Sequence, residues 1–179
     1  MDQIESLCKD YLRNLFYGLK FLRVLQVENV YVETLPDVVG NLVHLRYLCL
    51  KNSCLNELPD SISNLSNLQT LDISGNGMQT LPNGVCLTQL RELAEVDLTE
   101  AEDESEIVAL IMKMKGLLSL SLRVEINSLE LFSPPPLLQK LKLTGCLVDL
   151  PNWLGSMENL TKLILFNSQL SENPTTVLQ

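Results

Sequence analysis

An α/β solenoid of about seven stacked coils is the fold class this sequence predicts, and periodicity, proline placement and composition each point to it. The spacing Leu-x-x-Leu-x-x-Leu-x-Leu, closed eight residues later by Leu-Pro, occupies Leu42, Leu45, Leu48, Leu50 and Leu58-Pro59. It returns 23 residues on at Leu65, Leu68, Leu71, Ile73 and Leu81-Pro82, and stands 23 residues earlier at Leu19, Leu22, Leu25, Val27 and Leu35-Pro36. A period of 20–29 residues with this wording marks a leucine-rich repeat horseshoe, with a parallel concave sheet and short convex helices and turns. The strand marks fall at 25/27, 48/50, 71/73, 96/98, 120/122, 141/143 and 163/165, at intervals of 23, 23, 25, 24, 21 and 22 residues. Of 179 residues, 46% are hydrophobic and only 5% aromatic, enough for one domain with an aliphatic core.

Taken in chain order, residues 4–16 place Ile4, Leu7, Cys8, Tyr11, Leu12, Leu15 and Phe16 on one helical face, with Gly18 as the stop. Residues 1–18 are therefore read as the convex helix of a partial coil that caps the stack, and residues 19–179 as the repeat domain proper. Within one coil, side chains alternate across the strand. Leu48 and Leu50 point inward, whereas Tyr47, Cys49 and Lys51 point to the concave side. Leu42, Leu45, Leu55, Leu58 and Ile62 close the wedge, and Pro59 ends strand pairing and sets the convex turn. Each buried aliphatic contributes about 1.5–3 kcal/mol, and no coil can bury its own leucines without neighbours.

The position five residues past the first strand leucine often carries an Asn that bonds the backbone of adjacent coils. Here it reads Val30, Ser53, Asn76, Cys146 and Ser168, so one full Asn rung is expected. Residues 99–116 begin acidic (Glu100, Glu102, Asp103, Glu104, Glu106) and turn apolar (Ile107, Val108, Leu110, Ile111, Met114). That order predicts a helix with carboxylates at its positive end, inserted at about 100–116 in place of the fourth Leu-Pro turn. Pro134-Pro135-Pro136 is a rigid lead-in to the sixth strand. No polar cap follows Leu165, so Leu163, Leu165, Leu170, Val177 and Leu178 are expected to be partly exposed, with fraying beyond Ser168.

Several function classes are disfavoured. The net charge of −9 argues against nucleic acid and anionic membranes as partners. No apolar run reaches membrane-spanning length, so membrane insertion is not expected. The start MDQIESLCKDYL has no basic residue followed by an apolar run, so no secretion signal is read there. Asn64-Leu65-Ser66 and Asn159-Leu160-Thr161 are then by-products of the repeat wording rather than glycosylation sites. Five cysteines with no CxxC pair suit a reducing compartment, and the expected location is cytoplasmic.

No catalytic constellation is present, and the chain is not expected to be an enzyme. The single histidine, His44, has no placed partner and is read as structural. Cys49 lies near Arg46 and Lys51 in sequence and is expected to be accessible on the concave side. No Gly-x-x-x-x-Gly-Lys loop or calcium loop occurs, and no cofactor or metal is implied. What remains is the concave wall, whose candidate protein-binding residues are Gln26, Glu28, Tyr47, Cys49, Lys51, Asp72, Glu95, Asp97, Arg123, Lys140, Lys142, Lys162 and Phe166. Acidic groups gather on the first four strands and basic ones on the last three, a polarity suited to an extended, charge-complementary protein. Tyr47 and Phe166 are the candidate aromatic anchors.

The wording FLRVLQVENVYVETLPDVVGNLVHLRYLCLKNS (21–53), LPDSISNLSNLQTLDISGNGMQTLPNGVCLTQLREL (58–93), KMKGLLSLSL (113–122) and PPPLLQKLKLTGCLVDLPNWLGSMENLTKLILFNSQLSENP (134–174) resembles a known family. It is similar to the leucine-rich repeat region of plant intracellular immune receptors of the coiled-coil, nucleotide-binding type. The resemblance implies a non-catalytic recognition domain in plant defence. Its partner would be a pathogen effector, a guarded host protein or the receptor's own nucleotide-binding module. The coiled coil and the nucleotide-binding module are not in this sequence, and both ends cut across repeats, so a fragment or truncated product is expected. The 23-residue LPxxIxxLxxL wording is shared with intracellular scaffolds that bind small GTPases, which is the alternative. Extracellular repeat receptors carry GxIP repeats, secretion signals and paired cysteine caps, all lacking here.

Overall fold

The computed structural model describes residues 2–78, 80–82, 89–99, 101, 103–125, 129 and 132–170, with side chains from residue 9 onward. Among the described residues seven strands form one parallel sheet whose spatial order equals chain order. They are β1 (Val24–Gln26), β2 (Tyr47–Cys49), β3 (Thr70–Asp72), β4 (Glu92–Asp97), β5 (Ser119–Arg123), β6 (Lys140–Thr144) and β7 (Lys162–Phe166). This is the predicted leucine-rich repeat solenoid. Leu25, Leu48, Leu71, Leu93, Leu120 and Leu141 form one buried row, and Leu50, Ile73, Val96, Leu122 and Leu143 a second. At β7 the corresponding Leu163 and Leu165 are only half-buried, as is Leu170; Val177 and Leu178 lie outside the described residues.

The leucine-proline steps become short 3₁₀ helices at Asp37–Asn41, Asp60–Asn64 and Asn152–Ser156. Each follows a proline whose φ, −68° at Pro36, −67° at Pro59 and −59° at Pro151, is the value its ring imposes. Just ahead of two of these turns, Thr34 and Glu57 form an isolated parallel bridge outside the seven-stranded sheet.

Helix α1 (Asp2–Gly18) sets Leu12 and Phe16 into the core, with Leu15 packed against it. Tyr11, expected on the same buried face, is 69% exposed. Leu12 and Phe16, one turn apart, form the seam; Tyr11 sits 100° around the helix, where its ring swings into solvent. Ile4, Leu7 and Cys8 fall outside the described side chains. The fourth coil holds α2 (Glu104–Lys113), as the acidic-to-apolar switch predicts, and buries Ile107, Val108 and Ile111. Asp103 caps it, its carboxylate accepting from the Glu106 backbone N–H at 3.2 Å. The Ser105 hydroxyl and that N–H together hold the Asp103 carboxyl below its ordinary pKa.

The fourth strand corrects the expected register. Leu93, not Val96, aligns with Leu71 and Leu120, and Val96 aligns with Leu122. One extra residue stands between the two buried positions, a β-bulge in which Glu95 adopts φ 44°. The intervals of 25 and 24 residues on either side of the 96/98 mark are thus a 22-residue coil from Leu71 to Leu93 followed by a 27-residue one from Leu93 to Leu120, which holds both the bulge and α2.

The buried Asn76 side chain ties the second and third coils together. Asn76 accepts from the backbone N–H groups of Ser53 (2.8 Å) and Leu55 (3.1 Å) and donates to the carbonyls of Leu50 (2.6 Å) and Ile73 (2.8 Å). A second column was not visible in the leucine pattern: Asn29, Asn52, Gly75 and Asn167 leave their strands at φ between 50° and 70°. Asn and Gly tolerate this left-handed turn better than other residues.

Candidate protein-interaction face

The parallel registers lay the outward side chains of the sheet into rungs. One rung runs Val24, Tyr47, Thr70, Glu92, Ser119, Lys140, Lys162. A second runs Gln26, Cys49, Asp72, Ala94 and, beyond the bulge, Ser121, Lys142, Ile164. A third joins Asp97, Arg123, Thr144 and Phe166. All thirteen predicted binding residues lie on this outward side or in the loops that leave it, but the structure sorts them into three groups.

The first group surrounds Cys49. Tyr47 and Asp72 are half-buried, and Gln26, Glu28 and Lys51 are exposed. The Gln26 amide donates to the Glu28 carboxylate at 2.9 Å. Cys49 itself is 1% exposed, against the expectation of an accessible thiol. Alternation gives the correct side of the sheet but not the depth. The short Cys49 side chain lies between Gln26 and Asp72 in register, and its Sγ sits 3.6 Å from a Glu28 carboxylate oxygen. Burial raises the Cys49 pKa, the neighbouring Asp72 and Glu28 carboxylates add to the rise, and a contact with the Lys51 backbone opposes it. Burial likewise raises Tyr47, helped by Cys49 and the same carboxylates. The thiolate is the reactive form, so Cys49 is shielded twice over. At pH 8, iodoacetamide is expected to label the exposed Cys54 and Cys146 at least tenfold faster than Cys49. Peptide mapping of a time course checks this; comparable rates would mean that the Glu28 cover opens freely.

The second group is an ion-pair clasp over the bulge. Arg123 Nη2 lies 2.7 Å from Glu95 Oε1 and Arg123 Nε 3.3 Å from Asp97 Oδ2, while Lys142 Nζ lies 3.6 Å from Glu95 Oε2. The hydrogen bond from Arg123 to Glu95, with Asp97 adding, raises the guanidinium pKa against the opposing effect of burial. The Arg123 side chain keeps 43% of its exposure, so screening limits the clasp to about 1 kcal/mol or less. Its larger consequence is neutralisation: two of the predicted cations are already matched to two of the predicted anions.

The third group lies on β6 and β7. Lys140 and Lys162 stand side by side, both exposed, and neither has an ion pair among the described residues. Phe166 is 56% exposed and Ile164 38%. Ile164, which alternation places between Lys162 and Phe166, adds an aliphatic position to the predicted thirteen. Beside Phe166 in register, the Thr144 hydroxyl is buried without a hydrogen-bond partner. At the strand entries, the His44 ring stacks on exposed Phe21, centroids 5.7 Å apart.

Among the described residues no group of three or more His, Cys, Asp or Glu side chains is placed to hold a metal, and no helix is long and apolar enough to cross a membrane. A family model described as a leucine-rich repeat region matches residues 8–94. No curated protein matches the sequence. Among solved structures, a leucine-rich repeat protein of Leptospira interrogans superposes with TM-score 0.60 at 24% identity, covering 87% of this chain and 45% of that one. An internalin from Listeria monocytogenes gives TM-score 0.57 at 18% identity, covering 99% and 61%. The plant peptide hormone receptor RGFR1 in complex with RGF2 gives 0.56 at 22% identity, covering 87% and 26%. The chain therefore spans less than two thirds of each of these proteins. Identities at this level speak to the fold, which they share with the coil stack described above.

Proposed function

Starting from a leucine-rich repeat solenoid, generally a non-catalytic scaffold for protein–protein contact, we propose that this chain is the recognition domain of an intracellular plant immune receptor. In this reading it is cytoplasmic and binds a pathogen effector or a guarded host protein. In the resting state it docks on the receptor's own nucleotide-binding module and restrains it. The observation that carries the protein-binding part is the uncovered outward face of the sheet, on which charged side chains are grouped by strand. The immune part is supported by the repeat wording at 21–53, 58–93, 113–122 and 134–174, and by α2 replacing the turn of the fourth coil. A solenoid of related fold, the plant receptor RGFR1, is in complex with RGF2, which fits a face used for polypeptides.

The reading frame upstream of residue 1 tests the proposal. A nucleotide-binding module is expected there, and when co-expressed with this chain as a separate polypeptide it is expected to co-purify with it. A reading frame that encodes no such module would overturn the receptor assignment.

A further inference from the structure

We propose that the partner-binding part of the sheet is the β6–β7 strip, and that it takes an extended acidic segment carrying apolar side chains at alternate positions. The proposal deepens the protein-recognition reading and rests on it. Arg123 and Lys142 are committed to Glu95 and Asp97, so the candidate cations left on the strands themselves are Lys140 and Lys162, Lys51 standing alone in the turn after β2. These two are register neighbours on adjacent strands, where like charges repel and strands lie about 4.8 Å apart. No carboxylate among the described residues offsets them, in a chain whose net charge is −9. A carboxylate seated between the two ammonium groups would satisfy both.

The apolar half of the strip follows from the same strand. Ile164 and Phe166 point to the same side as Lys162, two and four residues further on. At about 3.3 Å per residue they stand roughly 7 and 13 Å from it. An extended ligand has the same repeat. An acidic residue over Lys140 and Lys162 therefore brings apolar residues two and four positions away over Ile164 and Phe166. Charge complementarity selects a polypeptide rich in Glu or Asp. The matching rung positions on β1–β3 carry Gln26, Tyr47, Cys49, Thr70 and Asp72, none of them cationic, and would not hold such a segment.

The test is an amide NMR titration of the full, isotopically labelled chain with Ac-Glu-Glu-Ile-Glu-Phe-Glu-Glu-NH2 and with the same peptide carrying Lys for every Glu. Shifts are expected for the acidic peptide, centred on residues 140–144 and 162–166. Affinity is expected to fall at least tenfold in Lys140→Glu/Lys162→Glu and at least threefold in Phe166→Ala. Lys20→Glu/Lys115→Glu, an equal charge change at exposed sites off this strip, is expected to stay within twofold. Dispersed spectra of each variant verify folding. Equal affinity for both peptides, shifts centred on β1–β3, or no shift at millimolar peptide would overturn the proposal. A negative titration beside an upstream nucleotide-binding module would remove this strip while leaving the receptor assignment standing.

Discussion

Replacing Asn76 with Ala is expected to cost about 3 kcal/mol, more than any surface substitution considered above. The side chain is buried and its four good hydrogen bonds all go to backbone, spanning the second and third coils. Without it the N–H groups of Ser53 and Leu55 and the carbonyls of Leu50 and Ile73 lose their common partner. Each buried group left unsatisfied costs about 1–3 kcal/mol, and partial relaxation keeps the sum below four times that. For a domain of this size the loss lowers Tm by roughly 6–12 °C. Asn76→Asp keeps the acceptor but sets negative charge against two carbonyls, and should be no more stable than the Ala variant at neutral pH. Urea unfolding of the three proteins checks this. A cost below about 1 kcal/mol for Asn76→Ala would mean that water replaces the amide, and that the rung does not hold the coils together.

Gly145→Ala is expected to cost about 2–4 kcal/mol, confined to the last coils. Gly145 has φ 138°, and a Cβ there would run into the backbone carbonyl oxygen of Val124 on the preceding coil. Backbone cannot yield as a flexible side chain can, and the φ alone carries a penalty of about 1–3 kcal/mol for an L-residue. The Gly145 N–H also donates to the Phe166 carbonyl at 3.0 Å. Relief of the clash would therefore shift the end of β6 against β7. Hydrogen exchange should accelerate at residues 140–147 and 162–167, while the amides of β2 and β3 keep their protection, since neighbouring coils open in separate steps. Uniform acceleration across the sheet would show instead that the stack unfolds as one block. Because Lys140, Lys162 and Phe166 ride on the displaced strands, the same variant should also weaken the acidic peptide.

Much of the fold is legible in the sequence because the repeat imposes the same spacing on successive coils. Leu25, Leu48 and Leu71 align as the 23-residue offset requires, and Leu120, Leu141 and Leu163 follow despite shorter intervals. The helix at 104–113 was legible from its charge order, and Asn76 from its column. The fourth strand was not. An interval of 25 residues reads equally as a longer loop or as an extra residue inside the strand, and only pairing with both neighbours decides. The candidate face was legible as a set of positions on the outward side of the strands and in the loops that leave them. Their interplay was not, because it depends on depth and on contacts across strands. Cys49 lies beneath taller neighbours, and Arg123 meets Glu95 and Asp97 only once β4 is bulged.

Strand order equal to chain order also has a consequence for the gene. A coil such as residues 42–64 touches its neighbours through surfaces that match those of the coil beside it, residue for residue at a 23-residue offset. Misaligned recombination between the DNA encoding two such coils therefore removes or duplicates one whole unit in frame, and the new seam still packs leucine against leucine. Descendants of this gene can differ in length by multiples of 23 codons in the first coils. The irregular part around the β4 bulge and α2 offers no equivalent breakpoint and should keep its length.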